Sequence, residues 1–190
     1  PFTFAAIGQL RPIKGNDTLI RAFALLRERT DRPVRLLIAG RGPLHDSLQA
    51  LIGELGLGDS CRLIGQIPRE QVVDFINDCD CFMCSSRTEM LSCVLHECGA
   101  CGRPAIATRC GGPEDFVTED TGMLVPVDDP PAMADAMAVM LDRAPTYDRQ
   151  KIRDHILRHF GRDAVCTALE QACADAIRLH GGAAEREAER

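Results

Sequence analysis

Residues 34–56 read VRLLIAGRGPLHDSLQALIGELG, and the order of patterns within them indicates the fold. The apolar run from Val34 to Ala39 has the length and the side chains of a buried strand. Gly40 ends that run, Pro43 suits the first turn of a helix, and apolar residues then recur at helical spacing until Gly56. A strand, a glycine loop and an amphipathic helix in this order are typical of the strand-helix-strand units of a parallel sheet.

The same alternation continues along the chain in both directions. We predict six strands, at about residues 3–7, 34–39, 61–64, 81–84, 105–108 and 123–125. Helical spacing predicts helices at about residues 16–26, 43–55, 70–77, 92–100, 130–141, 148–159 and 162–179. The sequence therefore predicts one Rossmann-like α/β domain over residues 1–180, with a parallel sheet of about six strands flanked by helices. Residues 181–190 have no apolar face to bury, which predicts a disordered tail or a frayed helix end.

The composition disfavours several classes of protein. A net charge of −6, with seven Phe, one Tyr and no Trp in 190 residues, argues against a nucleic-acid surface of basic stripes and stacking aromatics. No apolar run is long enough for a membrane span, and the first residues lack the pattern of a signal peptide. The ten cysteines stand mostly among apolar residues, which predicts reduced thiols in a soluble, cytoplasmic domain. The abrupt start in a strand-like run, without Met, suggests a fragment of a longer polypeptide.

Two carboxylates straddle a predicted loop-to-helix junction. Glu89 precedes the helix and Glu97 lies eight positions later, just over a turn into it. The backbone N–H groups near Ser92 and Cys93 would be free at the start of this helix, and such groups suit a diphosphate. Carboxylates beside them would suit sugar hydroxyls, so the arrangement fits a sugar nucleotide. The alternative is that Glu89 only initiates the helix and that Glu97 is a solvated helix residue.

Several groups of residues follow the order and spacing of one family's motifs. They are Gly8, Leu10, Lys14 and Gly15; Ile38 to Gly40, Gly42 and Pro43; Leu63, Gly65 and Pro68; Ser86 with Glu89 to Glu97; and Cys98 to Pro104 with Gly111, Gly112 and Glu114. These motifs resemble those of glycosyltransferase family 4, the retaining enzymes of GT-B fold that include glycogen and sucrose synthases. The similarity extends from about Phe4 to Leu141.

The resemblance implies that the chain is the C-terminal half of a GT-B glycosyltransferase, which binds the nucleotide-sugar donor, without its N-terminal acceptor domain. It implies that Lys14 and Glu89 are catalytic, with Lys14 on the donor diphosphate and Glu89 on the sugar hydroxyls near the reacting carbon. Glu97 would hold the ribose. The remaining donor-binding positions are the backbone at Ser92, Cys93 and Val94, the base-bordering Gln66 and Ile67, and the first and second loops at Gly8, Gln9, Arg11 and Gly40.

The resemblance also implies the reaction. A UDP-, GDP- or ADP-sugar would give up its sugar to an acceptor with retention, in polysaccharide or glycolipid biosynthesis. No metal or other cofactor would be required, because a cationic loop and a helix N-terminus neutralise the leaving group. The chain alone would be inactive, and its partner would be the N-terminal domain of the same polypeptide, through which it would associate peripherally with the inner membrane face.

Two departures from the family pattern support a second hypothesis. Gln9 stands where members commonly carry Arg, which removes one phosphate cation unless Arg11 substitutes for it. Met90, Leu91 and Ser92 stand where a glycine-aromatic-glycine run is usual. Both changes are compatible with a nucleotide-binding module that is catalytically weakened.

A third hypothesis is a structural zinc site. Cys81, Cys84, Cys98 and Cys101 form two Cys-x2-Cys pairs with thirteen residues between them, close to a zinc-binding spacing. Against this hypothesis, the first pair falls in a predicted core strand and the second on a predicted helix.

Overall fold

The computed structural model describes residues 1–188, with side chains through residue 178. Six strands form one sheet, in which every neighbouring pair is parallel. They are β1 Phe2–Ile7, β2 Val34–Ala39, β3 Cys61–Gly65, β4 Cys81–Cys84, β5 Ala105–Thr108 and β6 Gly122–Val125. The strand order is β3-β2-β1-β4-β5-β6. The predicted Rossmann-like α/β fold is therefore confirmed.

Eight helices connect and follow these strands in the described part of the chain. They are α1 Asn16–Arg29, α2 His45–Glu54, α3 Val72–Asn77, α4 Cys93–Ala100, α5 Pro113–Phe116, α6 Pro130–Arg143, α7 Arg149–Phe160 and α8 Arg162–Ala188. Short 3-10 turns occur at Pro12–Lys14, Arg69–Gln71 and Ala144–Thr146. The sequence did not predict α5, because four residues are too few to show a helical period. The end of the predicted tail, residues 189–190, lies outside the described residues, and disorder of the tail stays a prediction.

The strands divide their side chains between two apolar cores. One core holds Phe4 and Met83 of the sheet together with buried residues of α1, α2 and α6. The other core holds Phe82 and Cys84 together with buried residues of α3, α4, α5 and α7. Burial of both faces explains why the strands read as continuous apolar runs rather than as alternating ones.

The strand order fixes where a ligand site can form. From β1 the chain passes to β2 and β3 on one side of the sheet, and it then crosses back to β4 on the other side of β1. The loops after β1 and β4 therefore leave neighbouring strands in opposite directions, and a crevice opens between them at the carboxyl ends. These loops cover residues 8–15 and 85–92.

Two glycines permit the close approach of the loops that border this crevice. Gly40 has φ +152°, and a Cβ built on it would lie 1.7 Å from the carbonyl oxygen of Gly8. Gly15 has φ +58°, and a Cβ there would lie 2.1 Å from the carbonyl oxygen of Ser85. In both cases the obstructing atom belongs to the backbone and has no rotamer to change.

We predict that Gly40→Ala destabilises the fold by about 2–4 kcal/mol, because the β2 loop must move away from the β1 loop. Gly53→Ala is the matched control, since Gly53 lies in α2 with open space around it. That variant should be stabilised by about 0.5–1 kcal/mol through helix propensity. Urea unfolding of both variants measures the difference, and equal stabilities would contradict the close-approach argument.

Candidate functional site

A lysine and a glutamate meet at the crevice between β1 and β4. Lys14 ends the 3-10 turn after β1, and its Nζ donates to Oε2 of Glu89 at 2.5 Å. Ser86 Oγ donates to the same carboxylate oxygen at 3.3 Å. The side chain of Lys14 is 32% exposed and that of Glu89 is 14% exposed. An ion pair with so little solvent around Glu89 presents both a cation and hydrogen-bond acceptors to a ligand in the crevice.

The backbone of Glu89 is fixed by the loop that follows β5. Its N–H donates to the carbonyl of Cys110 at 3.1 Å, and its carbonyl accepts from the N–H of Gly112 at 2.7 Å. Gly111 has φ +110°, and a Cβ there would lie 2.8 Å from the carbonyl oxygen of Glu89. Glu89 is thus held independently of the turn that carries Lys14.

Two cavities adjoin at this crevice. The larger, of about 310 Å³, lies between the loops after β1, β2 and β3. It is lined by Ile7, Gly8, Gln9, Ala39, Gly40, Arg41, Gln66, Ile67 and Val72. The smaller, of about 20 Å³, has Lys14, Ser86, Glu89 and Ser92 in its lining and shares Ile7 and Gly8 with the larger one. An elongated ligand with an apolar or aromatic end and an anionic end would fit this pair of cavities.

The first backbone N–H groups of α4 are free to donate hydrogen bonds. Ser92 caps the helix without a side-chain hydrogen bond, and the first backbone bond that it accepts comes from His96 at 3.1 Å. Within the described residues, the N–H groups of Cys93 and Val94 have no acceptor. A helix N-terminus in this state favours an anion.

The structure brings most of the predicted site together. Gly8, Gln9, Lys14, Gly40, Gln66, Ile67, Glu89 and Ser92 all line one of the two cavities. Arg11, Cys93, Val94 and Glu97 line neither, and Arg11, Cys93 and Glu97 are exposed. Their predicted contacts with a donor stay predictions.

Two arginines near the crevice were not predicted from the sequence as functional residues. Arg41 lines the larger cavity, between Gly40 and Gly42. Arg87 forms ion pairs of 2.8 Å with Asp17 and with Asp128. These hydrogen bonds raise the pKa of the Arg87 guanidinium and lower that of the Asp128 carboxyl, so both groups remain charged near neutral pH. Each arginine stands within one of the motifs that resemble the family's, and this position is the signal in the sequence that could have identified it.

The zinc hypothesis is wrong for the described residues, because the four thiols do not converge. Cys81 and Cys84 are three positions apart in β4, so their side chains point to opposite faces of the sheet and belong to different cores. No group of three or more His, Cys, Asp or Glu side chains in the described part of the chain has a geometry that would hold a metal ion.

The fold and the crevice together define the class of protein. The structure superposes on Anabaena HepE in complex with UDP with a TM-score of 0.80, at 20% identity over 92% of this chain and 49% of that one. It superposes equally, at 0.80, on a sucrose-phosphate synthase from Thermosynechococcus elongatus, at 25% identity over 94% of this chain and 46% of that one. The chain is therefore a Rossmann-like domain of the kind that forms the C-terminal half of GT-B glycosyltransferases.

Sequence comparison identifies the family. The family model described as "Glycosyl transferases group 1" matches residues 1–154, and the chain belongs to that family. A D-inositol 3-phosphate glycosyltransferase of Corynebacterium efficiens is 35% identical over 180 residues, which are 90% of this chain and 42% of the relative. A protein of the same name from Thermobispora bispora is 32% identical over 187 residues, 92% of this chain and 43% of the relative. The chain thus spans less than half the length of these two curated relatives.

The described residues contain no helix with the length and apolar character that a membrane crossing requires.

Burial predicts a clear order of thiol reactivity. Burial raises the pKa of Cys61 and of Cys79 to about 12, and Cys81, Cys84 and Cys98 are also buried. We expect iodoacetamide at pH 8 to label the exposed Cys93, Cys166 and Cys173 at least about tenfold faster than these five. Mass spectrometry of labelled peptides measures the order, with urea-unfolded protein as the control in which all ten react. Fast native labelling of Cys81 or Cys98 would contradict the assigned burial.

Proposed function

We propose that the chain is the donor-binding half of a retaining glycosyltransferase, and that it binds a nucleotide-diphospho-sugar across the two adjoining cavities. The observation that carries this proposal is the Lys14–Glu89 pair, which lies at the switch point of the sheet beside both cavities. An anionic diphosphate and a hydroxyl-rich sugar require a cation and hydrogen-bond acceptors side by side, and this pair supplies both.

The donor would lie with its nucleoside in the larger cavity. Ile67 and Val72 offer apolar surface to the base, and Gln66 offers a polar edge. The backbone of Gly8 and Gly40 leaves room for the ribose and phosphates to pass toward Lys14. Glu97 would hold the ribose hydroxyls from the exposed side of α4.

The charges at the crevice suit the bond that must break. When the bond between the anomeric carbon and the diphosphate oxygen breaks, negative charge grows on the departing nucleoside diphosphate. Lys14 and the free N–H groups at the start of α4 would stabilise that charge. Glu89 would accept hydrogen bonds from the sugar hydroxyls and would lie near the positive charge that develops on the anomeric carbon.

The Lys14 ammonium is bonded to Glu89. An ammonium has three donor hydrogens, so Lys14 could keep that bond and also donate to a phosphate oxygen. Glu89 has two carboxylate oxygens, and only Oε2 accepts from Lys14 and Ser86 among the described residues. Its other oxygen would remain for a sugar hydroxyl.

Arg41 would supply the second phosphate cation that Gln9 does not provide. The carbonyl of Arg41 accepts from the N–H of Leu10 at 2.9 Å, so Arg41 lies directly across from the residue after Gln9. Both Gln9 and Arg41 line the larger cavity, whereas Arg11 lines neither cavity. We therefore assign the substitute role to Arg41 instead of Arg11.

The acceptor would bind to the other half of the polypeptide, which would also close the crevice over the donor. Transfer with retention, a polysaccharide or glycolipid product and independence of metal ions follow from the family resemblance. The proposed location, in the cytoplasm or at the inner membrane face, follows from reduced thiols and from the supply of nucleotide sugars. The chain alone would bind the donor without transferring the sugar.

Nucleotide affinity tests the donor-binding proposal directly. Isothermal titration with UDP, GDP, ADP and their sugar conjugates should show saturable binding of one nucleotide. Lys14→Ala should weaken it at least about tenfold, because a hydrogen bond to a charged group contributes about 1.5–3 kcal/mol. Glu97 lines neither cavity, and its contact with the ribose is implied by the family resemblance; if that contact forms, Glu97→Ala should weaken binding by a similar factor. Matched controls are Lys151→Ala and Glu28→Ala, which remove exposed residues of α7 and α1.

Absence of binding by any nucleotide at millimolar concentration would refute the donor-binding proposal for this chain. If the nucleotide binds but the full-length polypeptide shows no turnover with any sugar conjugate, the catalytically weakened module is the correct alternative. The departures from the family pattern at Gln9 and at Met90 to Ser92 are the observation that favours this alternative.

The effects of Arg41 and of Arg11 on nucleotide affinity can be distinguished by substitution. Arg41→Ala should weaken binding of the nucleoside diphosphate about tenfold or more and should reduce the dependence of affinity on salt concentration. Arg11→Ala should change affinity less than about twofold, since Arg11 lies outside both cavities. Titrations at two salt concentrations measure both effects, and the reverse ranking would assign the second cation to Arg11.

A further inference from the structure

We propose that Arg87 is a positioning residue for donor binding, which fixes the 3-10 turn of Lys14 and acts on the nucleotide only through Lys14. This inference rests on the proposed function, because it assigns a residue that prepares the same site. It concerns a side chain that contacts neither the cavities nor the reacting groups proposed above.

Arg87 connects its own loop after β4 to three other segments of the chain. Its Nη2 donates to Asp17 at 2.8 Å in the first turn of α1, and its Nε forms an ion pair of 2.8 Å with Asp128 in the loop before α6. Its Nη1 donates to the carbonyl of Pro12, and its backbone N–H donates to the carbonyl of Ile13 at 2.7 Å. Two of the three residues in the turn therefore accept a hydrogen bond from Arg87.

Only an arginine can make this set of bonds with one side chain. The guanidinium offers five N–H donors in a fixed plane, and here it serves two carboxylates and a carbonyl at once. Asp128 also accepts from Thr18 Oγ1 at 2.9 Å and has φ +52°, a left-handed conformation that Asp tolerates better than most residues. The partners of Arg87 are thus held in place themselves.

Loss of Arg87 should loosen the turn without dismantling the site. The turn would keep its own bonds from Lys14 N–H to Arg11 and from Gly15 N–H to Pro12, and the bond from Ser85 Oγ to the Lys14 carbonyl at 2.9 Å. It would also keep the bond from the backbone N–H of residue 87 to Ile13, so Arg87→Ala removes only the side-chain bonds. Glu89 would stay fixed by the β5 loop. The expected consequence is a Lys14 ammonium that spends less time where a diphosphate would lie.

Arg87 lies outside the two cavities proposed for the donor. Together with Pro12 and Asp17 it lines a separate groove between α1 and α2, and it lines neither of the two donor cavities. A direct contact with the nucleotide is therefore not the route by which it would influence affinity.

The test is a double-mutant cycle between Arg87 and Lys14. Its probes are the tightest binder among UDP, GDP and ADP and the matching nucleoside, which lacks phosphates. Arg87→Ala should weaken diphosphate binding about fivefold and leave nucleoside binding unchanged, and it should cause no further loss in a chain that already carries Lys14→Ala. Arg87→Lys keeps the charge but not the planar fork, and should fall between wild type and Arg87→Ala.

The matched control is Arg29→Ala. It breaks an ion pair of 2.5 Å between Arg29 of α1 and Asp135 of α6, away from both cavities, and should change neither affinity. Losses that add fully in the double variant, or an equal loss of nucleoside and diphosphate binding, would overturn the inference. If Lys14→Ala weakens binding while Arg87→Ala and Arg87→Lys do not, the inference alone fails. If Lys14→Ala has no effect, the proposed function of Lys14 fails and the inference falls with it.

Discussion

The close packing of backbone loops at the carboxyl ends of β1, β2 and β3 is the constraint on which the crevice depends. Gly8 N–H donates to the Ala39 carbonyl at 2.9 Å and Gly40 N–H donates to the Gly65 carbonyl at 2.7 Å, so each loop is bonded to the next. A side chain at Gly40 would separate the first two loops. Because these loops contact one another through backbone, the cavity beside them stays open, and the turn that follows Gly8 holds Lys14 at its edge.

The charges at the site are local, in a chain whose net charge is −6. Of the 22 basic residues, 20 are Arg and two are Lys, and one of those two lysines is Lys14. The placement of Lys14 agrees with the chemistry of the two side chains. An ammonium is a compact donor that several partners can share, whereas a guanidinium binds fixed partners in one plane. Arg87 contacts two carboxylates and a carbonyl around the turn, and Lys14, at the end of that turn, has one partner among the described residues.

Much of the fold was predictable because both faces of the sheet are buried. Apolar runs with glycine or proline at their ends located every strand to within one residue, as in the extension of β1 to Phe2 and of β3 to Gly65. The order of the glycine motifs also predicted that Gly8, Gly40 and Glu89 lie at one edge of the sheet, and their roles stay predictions. The zinc hypothesis was wrong because linear spacing ignores strand geometry, which turns Cys81 and Cys84 to opposite faces. The role of Arg87 was missed because its partner Asp128 is 41 residues away in sequence, and nothing local to either residue indicates that pairing. Arg41 was missed because its motif shows only that it stands between two glycines, and not that it lines a cavity.

The departure at Gln9 shows why a motif read one position at a time underdetermines a site. In a parallel sheet, neighbouring loops at one edge present side chains to the same space, so a cation missing from the β1 loop can be replaced from the β2 loop. In the proposed function Arg41 takes that part, because its carbonyl is bonded to Leu10, one residue beyond Gln9. Electrostatic stabilisation of an anion depends on distance and burial and not on which strand carries the charge. If Arg41 carries that role, the position of the charge depends on the backbone contacts between the β1 and β2 loops and not on the residue at position 9 alone.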